Sequence, residues 1–150
     1  MWEHEPNISW ELLNHVAFGT PHIAGHSFDG KVQGAKQVFQ AACDFFQSPL
    51  HAPVLQELHT EAPCSILIDA KGKDPENIFY ELVTQAYSLH EDHTRLKNLL
   101  QHPDENRPQN FDQLRKHYPM RREFHTQKVE LRNGSPLIKN QIRCLGFFIK

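Results

Sequence analysis

A proline-rich segment near the middle of the chain limits how it can fold. Residues 48–63, SPLHAPVLQELHTEAP, contain three prolines, and proline lacks a backbone donor and disfavours helix in the residue before it. The segment therefore predicts a connector between two units, residues 1–51 and 52–150. A total of 150 residues suits one ordinary domain, or one small domain carrying an appendage.

The first unit is expected to contain a short strand and one long helix. HVAFG (15–19) is an apolar run ending in glycine and predicts a buried strand, preceded by a turn of helix around SWELL. From about Phe28 to Phe46, apolar residues recur at spacings of three and four, which predicts a helix with one continuous apolar face. That face consists of Val32, Ala35, Val38, Phe39, Ala42, Phe45 and Phe46.

The second unit has the pattern of a small α+β module. CSILIDA, FHTQKVEL and FFIK predict strands, and helices are expected between them. Asp74 and Asn110 are candidate N-caps, Ser135-Pro136 begins the last helix, and Gly146 follows its end. HTRLKNLL predicts a further helix ending near His102-Pro103.

Composition and charge exclude several classes of protein. With 39% hydrophobic residues, 23% charged residues and a net charge of -2, the chain resembles neither a disordered tail nor a nucleic-acid-coating protein. It has no apolar stretch near the ~20 residues that cross a bilayer, and MWEHEPNISWE lacks the features of a signal peptide. Cys43, Cys64 and Cys144 fit neither a disulfide framework nor a zinc knuckle. We expect a cytoplasmic protein with reduced thiols and with no membrane or nucleic-acid partner.

Eleven histidines raise the alternative of a metal-binding regulator. The pairs His22/His26 and His90/His93 have helical spacing and could each form half a site. Zinc, however, usually takes three or four protein ligands, so we expect no bound metal.

The stretch NHVAFGTPHIAGHS (14–27) presents His22 just after the predicted strand. Ligands of open α/β sheets bind at the carboxyl ends of strands. Upstream, WEHEP supplies Glu3 and Glu5, and a carboxylate that receives one imidazole N–H holds a histidine in the tautomer needed for proton transfer. From the residues alone, His22 remains a proton carrier, a metal ligand or part of the scaffold.

Longer matches favour the first of these. WEHEP followed by GTPHIAG resembles the closing segment of the NAD-dependent D-2-hydroxyacid dehydrogenases, in which DV-aromatic-x-x-E-P precedes TPHIAG. Residues 19–46, FDQLRKHYPMRREF (111–124) and CLGF (144–147) are similar to the erythronate-4-phosphate dehydrogenases of that family. The resemblance implies the C-terminal remnant of a doubly wound NAD-binding catalytic region over 1–51 and a small α+β dimerisation domain over 52–150.

The resemblance also implies roles for individual residues. His22 matches the catalytic acid/base and Glu5 the carboxylate that orients it, whereas Glu3 does not occupy that place. Gly25 matches a backbone position that contacts NAD. His26 stands where the family commonly has a tyrosine that touches the phosphorylated substrate.

The implied activity is NAD-dependent oxidation of 4-phospho-D-erythronate to a 2-oxo-4-phosphate acid, in pyridoxal phosphate biosynthesis, by a homodimer. Neither G-x-G-x-x-G nor the family's substrate-anchoring arginine occurs in these 150 residues. We therefore expect the C-terminal part of a longer enzyme that neither binds NAD nor turns over substrate alone. The competing hypothesis is a non-catalytic module, derived from that enzyme, whose activity is homodimerisation.

Overall fold

The chain is organised as two units, each built from two separate stretches of sequence. The computed structural model describes residues 2–48 and 65–149. Unit A consists of Met1–Ala24 and Val83–Pro119, and unit B of Gly25–Leu82 and Met120–Lys150. The predicted connector lies almost wholly outside the described residues, so the boundary between 51 and 52 stays a prediction.

Six helices and three strands are present in the described residues. The helices are α1 (Trp10–His15), α2 (Phe28–Phe45), α3 (Pro75–Ala86), α4 (Leu89–Lys97), α5 (Arg107–Lys116) and α6 (Pro136–Cys144). The strands are β1 (Ser65–Asp69), β2 (Lys128–Arg132) and β3 (Phe148–Ile149). Short 3-10 turns cover Asn98–Gln101, Asp104–Asn106 and Phe124–Thr126. None of the described helices is both long and apolar enough to cross a bilayer.

Several helix ends follow the predicted capping residues. Asp74 Oδ1 accepts the backbone N–H of Asn77 at 2.9 Å at the start of α3, and Ser135 caps α6 in the same way. Gly146 follows α6 with φ 96°, a conformation that favours glycine. The helix expected to begin at Asn110 starts earlier, at Arg107, where Pro108 occupies the first turn.

The strand predicted over 15–19 is wrong. Helix α1 includes His15, and residues 16–20 form no strand. A strand needs neighbours for its backbone hydrogen bonds, and the described part of unit A contains none. Instead the Gly19 N–H donates to His93 Nδ1 at 3.0 Å, and the Thr20 carbonyl accepts the Trp2 indole N–H at 2.7 Å.

Unit A has its own hydrophobic core. Its fully buried members come from the N-terminal segment, from the α4 region and from α5: Ile8, Leu13, Leu96, Leu99 and Phe111. Trp2, Trp10, Val16, Leu100 and Leu114 pack around them. The core therefore fastens residues 2–20 to α4 and α5, which lie more than seventy residues later.

Unit B is built around a three-stranded sheet in the order β1-β2-β3, and both strand pairs are parallel. The mixture of helix and sheet is as expected, but parallel strands alternating with helices make the unit α/β-like rather than α+β. One face carries Ile66, Ile68, Val129 and Ile149, all buried. The doubly wound remnant predicted for 1–51 has no strand in residues 2–48.

Helix α2 confirms the predicted span but buries little of its apolar face in the described structure. Val38, Phe45 and Phe46 are 72%, 81% and 75% exposed. The N-terminal end is held firmly, since Ser27 Oγ accepts the Gly30 N–H at 3.0 Å and donates to Glu123.

Asp29, in the first turn of α2, anchors the stretch 122–126. Its carboxylate receives Arg122 at 2.9–3.1 Å, the Glu123 N–H at 2.8 Å and the Thr126 hydroxyl at 3.1 Å. Desolvation raises the pKa of this carboxyl, but the hydrogen bonds and the charge of Arg122 outweigh it, and the net pKa is lowered.

Asp29→Asn is expected to lower the free energy of unfolding of unit B by about 2 kcal/mol, because the half-buried Arg122 loses its counter-ion. A group with a lowered folded-state pKa stabilises above its unfolded pKa, and that contribution is lost as the pH falls through the folded value. The wild type should therefore lose stability below about pH 4, and the difference from the variant should shrink there. Urea unfolding at pH 7 and pH 3 measures both effects.

Asp44→Asn is the matched control, since Asp44 lies exposed on the same helix and accepts a local hydrogen bond from Gln40 at 2.8 Å. It should change stability by less than about 0.5 kcal/mol. Equal effects of the two substitutions would contradict the role given to Asp29.

Candidate active site

The structure joins two of the predicted site residues in unit A. His22 Nδ1 lies 2.7 Å from Glu5 Oε2. An ionised carboxylate only accepts hydrogen bonds, so the tautomer of a neutral His22 that fits this contact has its proton on Nδ1 and its lone pair on Nε2. The His22 side chain is 37% exposed and that of Glu5 only 17%. The pair therefore combines a partly exposed imidazole with a more deeply buried carboxylate.

The local sequence explains how His22 is presented. Pro21 fixes one backbone angle, and the His22 N–H donates across it to the Thr20 carbonyl at 2.9 Å, which closes a tight turn. His22 itself has φ 55°. Such left-handed backbone at a residue other than glycine is uncommon and concentrates at functional sites.

Trp2 supports both members of the pair. Its backbone N–H donates to Glu5 Oε1 at 3.0 Å, so each carboxylate oxygen has one donor. Its indole N–H donates to the Thr20 carbonyl at 2.7 Å and ties the carboxylate loop to the turn before His22. The aromatic position of WEHEP signalled a resemblance, but nothing in the sequence indicated these two bonds.

The environment keeps Glu5 ionised. Desolvation raises the pKa of this carboxyl, but hydrogen bonds from His22 and from the Trp2 backbone, together with the charges of His22 and Arg115, lower it further than desolvation raises it. A carboxylate that stays charged stabilises a protonated imidazole.

Arg115 and His93 are site neighbours; the sequence did not single out Arg115, and it indicated His93 only as half of a possible metal site. Arg115 adds positive charge near Glu5, and its buried Nε has no hydrogen-bond partner among the described residues. His93 accepts the Gly19 N–H three residues before His22. Both contacts join residues far apart in sequence, so no local pattern could have revealed them.

Gly25 and His26 lie at the start of unit B. A Cβ placed on Gly25 would meet nothing within 4 Å, so its backbone is open to an approaching group. His26 is half-buried, directly before the Ser27 cap of α2.

Neither of the two predicted metal half-sites, His22/His26 and His90/His93, is part of a larger group of potential metal ligands in the described structure. Residues 2–48 and 65–149 contain no group of three or more His, Cys, Asp or Glu side chains suited to a metal ion. His90 and His93 instead meet the edge of the Phe18 ring, at centroid distances of 4.9 and 5.8 Å.

A bound dinucleotide would need a cradle for its pyrophosphate. Such cradles combine a strand, a glycine-rich turn and a helix N-terminus. The chain has no G-x-G-x-x-G, and α2 follows no strand in the described residues. The residues present thus fit the proton-transfer part of a dehydrogenase site but not the part that holds the cofactor's phosphates.

Comparisons with known proteins identify the family to which the chain belongs. A family model described as "Domain of unknown function (DUF3410)" matches residues 61–146. Proteins named erythronate-4-phosphate dehydrogenase are similar over more of the chain. That of Marinobacter nauticus is 36% identical over 150 residues, which is 100% of this chain and 39% of the relative. That of Cellvibrio japonicus is 39% identical over 98% of this chain and 39% of its own length.

The relative from Bacteroides thetaiotaomicron is 40% identical over 82% of this chain and 30% of its own length. The chain thus spans about 39% of the length of the first two relatives, at their C-terminal end. Because the family model covers more than half of the sequence, the chain belongs to the DUF3410 family, in the form found at the C-terminal end of erythronate-4-phosphate dehydrogenases.

Proposed function

We propose that the chain supplies the acid–base pair of an NAD-dependent oxidoreductase that converts 4-phospho-D-erythronate to the 2-oxo-4-phosphate acid in pyridoxal phosphate (vitamin B6) biosynthesis. The observation that carries the proposal is the 2.7 Å contact between His22 Nδ1 and Glu5 Oε2. The names of the relatives support the substrate. A cytoplasmic homodimer is the setting we propose.

His22 would act as a base through Nε2. In the oxidation, the C2 hydroxyl gives its proton to Nε2 and the C2–H bond gives up a hydride, which leaves a 2-oxo acid. NAD, when bound, would supply the hydride acceptor. Glu5 keeps the ring proton on Nδ1 and stabilises the imidazolium that forms, and acid–base assistance of this kind contributes about 10²–10⁴-fold.

The roles proposed for the two neighbouring residues follow from the family match. Gly25 would offer its backbone to NAD, and its open surroundings leave room for that contact. His26 would donate a hydrogen bond to the phosphorylated substrate in place of the family's tyrosine, since an imidazole N–H is also a donor.

The dyad is testable in a chimera in which this chain replaces the matched 150-residue segment of the Marinobacter nauticus relative. His22→Asn should lower kcat about 10²–10⁴-fold because the base is lost. Glu5→Gln should lower kcat about 10–10²-fold because the imidazolium loses its counter-charge. NADH formation from 4-phospho-D-erythronate measures both.

His15→Asn is the matched histidine control, since the His15 side chain is exposed and bonds only to the Glu11 carbonyl. It should retain chimera activity. If the chimera is inactive, ¹⁵N spectra of the chain itself still decide whether His22 carries its proton on Nδ1 and loses that preference in Glu5→Gln. A fully active His22→Asn chimera would refute the proposal.

The chain alone is expected to bind NAD more weakly than a Kd of about 1 mM, because its described residues lack a pyrophosphate cradle. Isothermal titration calorimetry with NAD measures this, and the full-length Marinobacter nauticus relative serves as the positive control. Micromolar binding by the chain would contradict the expectation.

Homodimerisation is the second candidate function, favoured by a face of the sheet that none of the described residues covers. Parallel sheets are normally covered on both faces, yet Leu67 and Phe148 are 46% and 57% exposed. Around them, Glu130 pairs with Arg132 at 3.0 Å and Lys128 lies in register with Phe148. A face with apolar residues and charges of both signs suits a second copy of itself.

Leu67→Glu is expected to shift the chain from dimer to monomer, because it places a charge in the proposed interface. Sedimentation equilibrium measures the change. Tyr80→Glu is the control, since Tyr80 is exposed on α3 rather than on the sheet. A dimer that survives Leu67→Glu would show that this face is not the interface.

A further inference from the structure

The turn that presents His22 is held from a distant helix. His93, on α4, accepts the backbone N–H of Gly19 at 3.0 Å across 74 positions of sequence. Gly19 leaves no room for a side chain, since a Cβ there would lie 2.7 Å from the Trp2 ring and 2.9 Å from Leu13. The contact therefore acts on a tightly confined piece of backbone just before His22.

The chemistry of the contact requires a neutral His93. A backbone N–H only donates, so His93 Nδ1 must carry its lone pair and the ring proton must lie on Nε2. Protonation of the imidazole places a second donor opposite the Gly19 N–H and removes the hydrogen bond. Histidine is the side chain whose ordinary pKa makes this change near neutral pH.

Other ionisable groups lie on the two elements that form this contact, the N-terminal segment and α4. The segment 16–20 has no ionisable side chain, and His15 and His22 lie at its two ends. On α4, His90 meets the same Phe18 ring as His93. Asp92 is held by the Tyr118 hydroxyl at 2.7 Å and by Arg95 at 3.7 Å, while Arg95 also reaches Glu91 at 3.4 Å. His90 and His22 are thus the groups whose titration must be separated from that of His93.

We propose that His93 is a positioning residue for His22. In its neutral form it fixes segment 16–20 so that His22 meets Glu5, and its protonation releases that segment. The structural part stands by itself, and its bearing on catalysis rests on the proposed function. His93 lies inside residues 61–146, which match the DUF3410 family. In this proposal, that segment helps to position the acid–base pair as well as forming part of the fold.

The test follows the Gly19 amide by NMR in the ¹⁵N-labelled chain between pH 5 and pH 8. In the wild type, the Gly19 amide shift should change with the midpoint of the His93 ring signals. His93→Asn places an acceptor oxygen near the position of Nδ1 and does not titrate, so the hydrogen bond should persist and the pH dependence should vanish. His93→Leu has no acceptor, so Gly19 amide exchange should be about tenfold faster than in the wild type where wild-type His93 is neutral, and the difference should disappear where wild-type His93 is protonated.

The controls are His90→Asn and His22→Asn, which remove the other two titrations and should leave the Gly19 midpoint in place. Leu13 and Phe111 signals report whether unit A is folded, and if His93→Leu unfolds it, the His93→Asn result decides. A Gly19 amide that ignores pH, that follows His22 or His90, or that still titrates in His93→Asn would overturn the proposal. This experiment measures no turnover. A failure of the proposed His93–Gly19 contact can therefore be distinguished from a failure of the proposed enzymatic function, which would show as an inactive chimera.

Discussion

Backbone groups of segment 16–22 have no sheet to bond to in unit A, and this constraint organises that unit. The Thr20 carbonyl is bonded by the Trp2 indole and the Gly19 N–H by His93. Each partner also belongs to, or lies beside, the core around Leu13 and Phe111. The position of His22 is therefore set by packing of the N-terminal segment against α4 and α5 rather than by a strand.

The Glu5–His22 contact is a balance between burial and charge. Removing the carboxylate from water opposes its ionisation, and the donors that surround it restore the charged form. Both oxygens are occupied, one by His22 Nδ1 and one by the Trp2 N–H, so the carboxylate cannot easily turn away. A base oriented in this way loses little freedom when a proton arrives.

Local patterns in the sequence predicted the helices and the three strands of unit B, but they gave no order in which those strands pair. Asp74 and Ser135 accept hydrogen bonds from backbone N–H groups three residues later, so the local sequence is sufficient to predict that they cap helices. The apolar run 15–19 is compatible with a strand and with a packed loop. Residues 16–19 form a loop because the described part of unit A has no neighbouring strand with which they could pair. Parallel pairing of β1 with β2 joins residues more than sixty positions apart, which periodicity does not encode. The Glu5–His22 pair was accessible through a family resemblance, whereas the contacts of Arg115 and His93 were not.

The motif FDQLRKHYPMRREF, one of those that carry the resemblance, has residues that act within each unit. In unit A, Arg115 acts on Glu5 beside His22. In unit B, Asp29 binds Arg122, and the Phe28 N–H donates to the Arg121 carbonyl at 2.8 Å. GTPHIAGHSFDGK and FDQLRKHYPMRREF each cross from one unit to the other, the first after Ala24 and the second after Pro119. Residues of the second motif thus influence the acid–base dyad within unit A and the start of α2 within unit B.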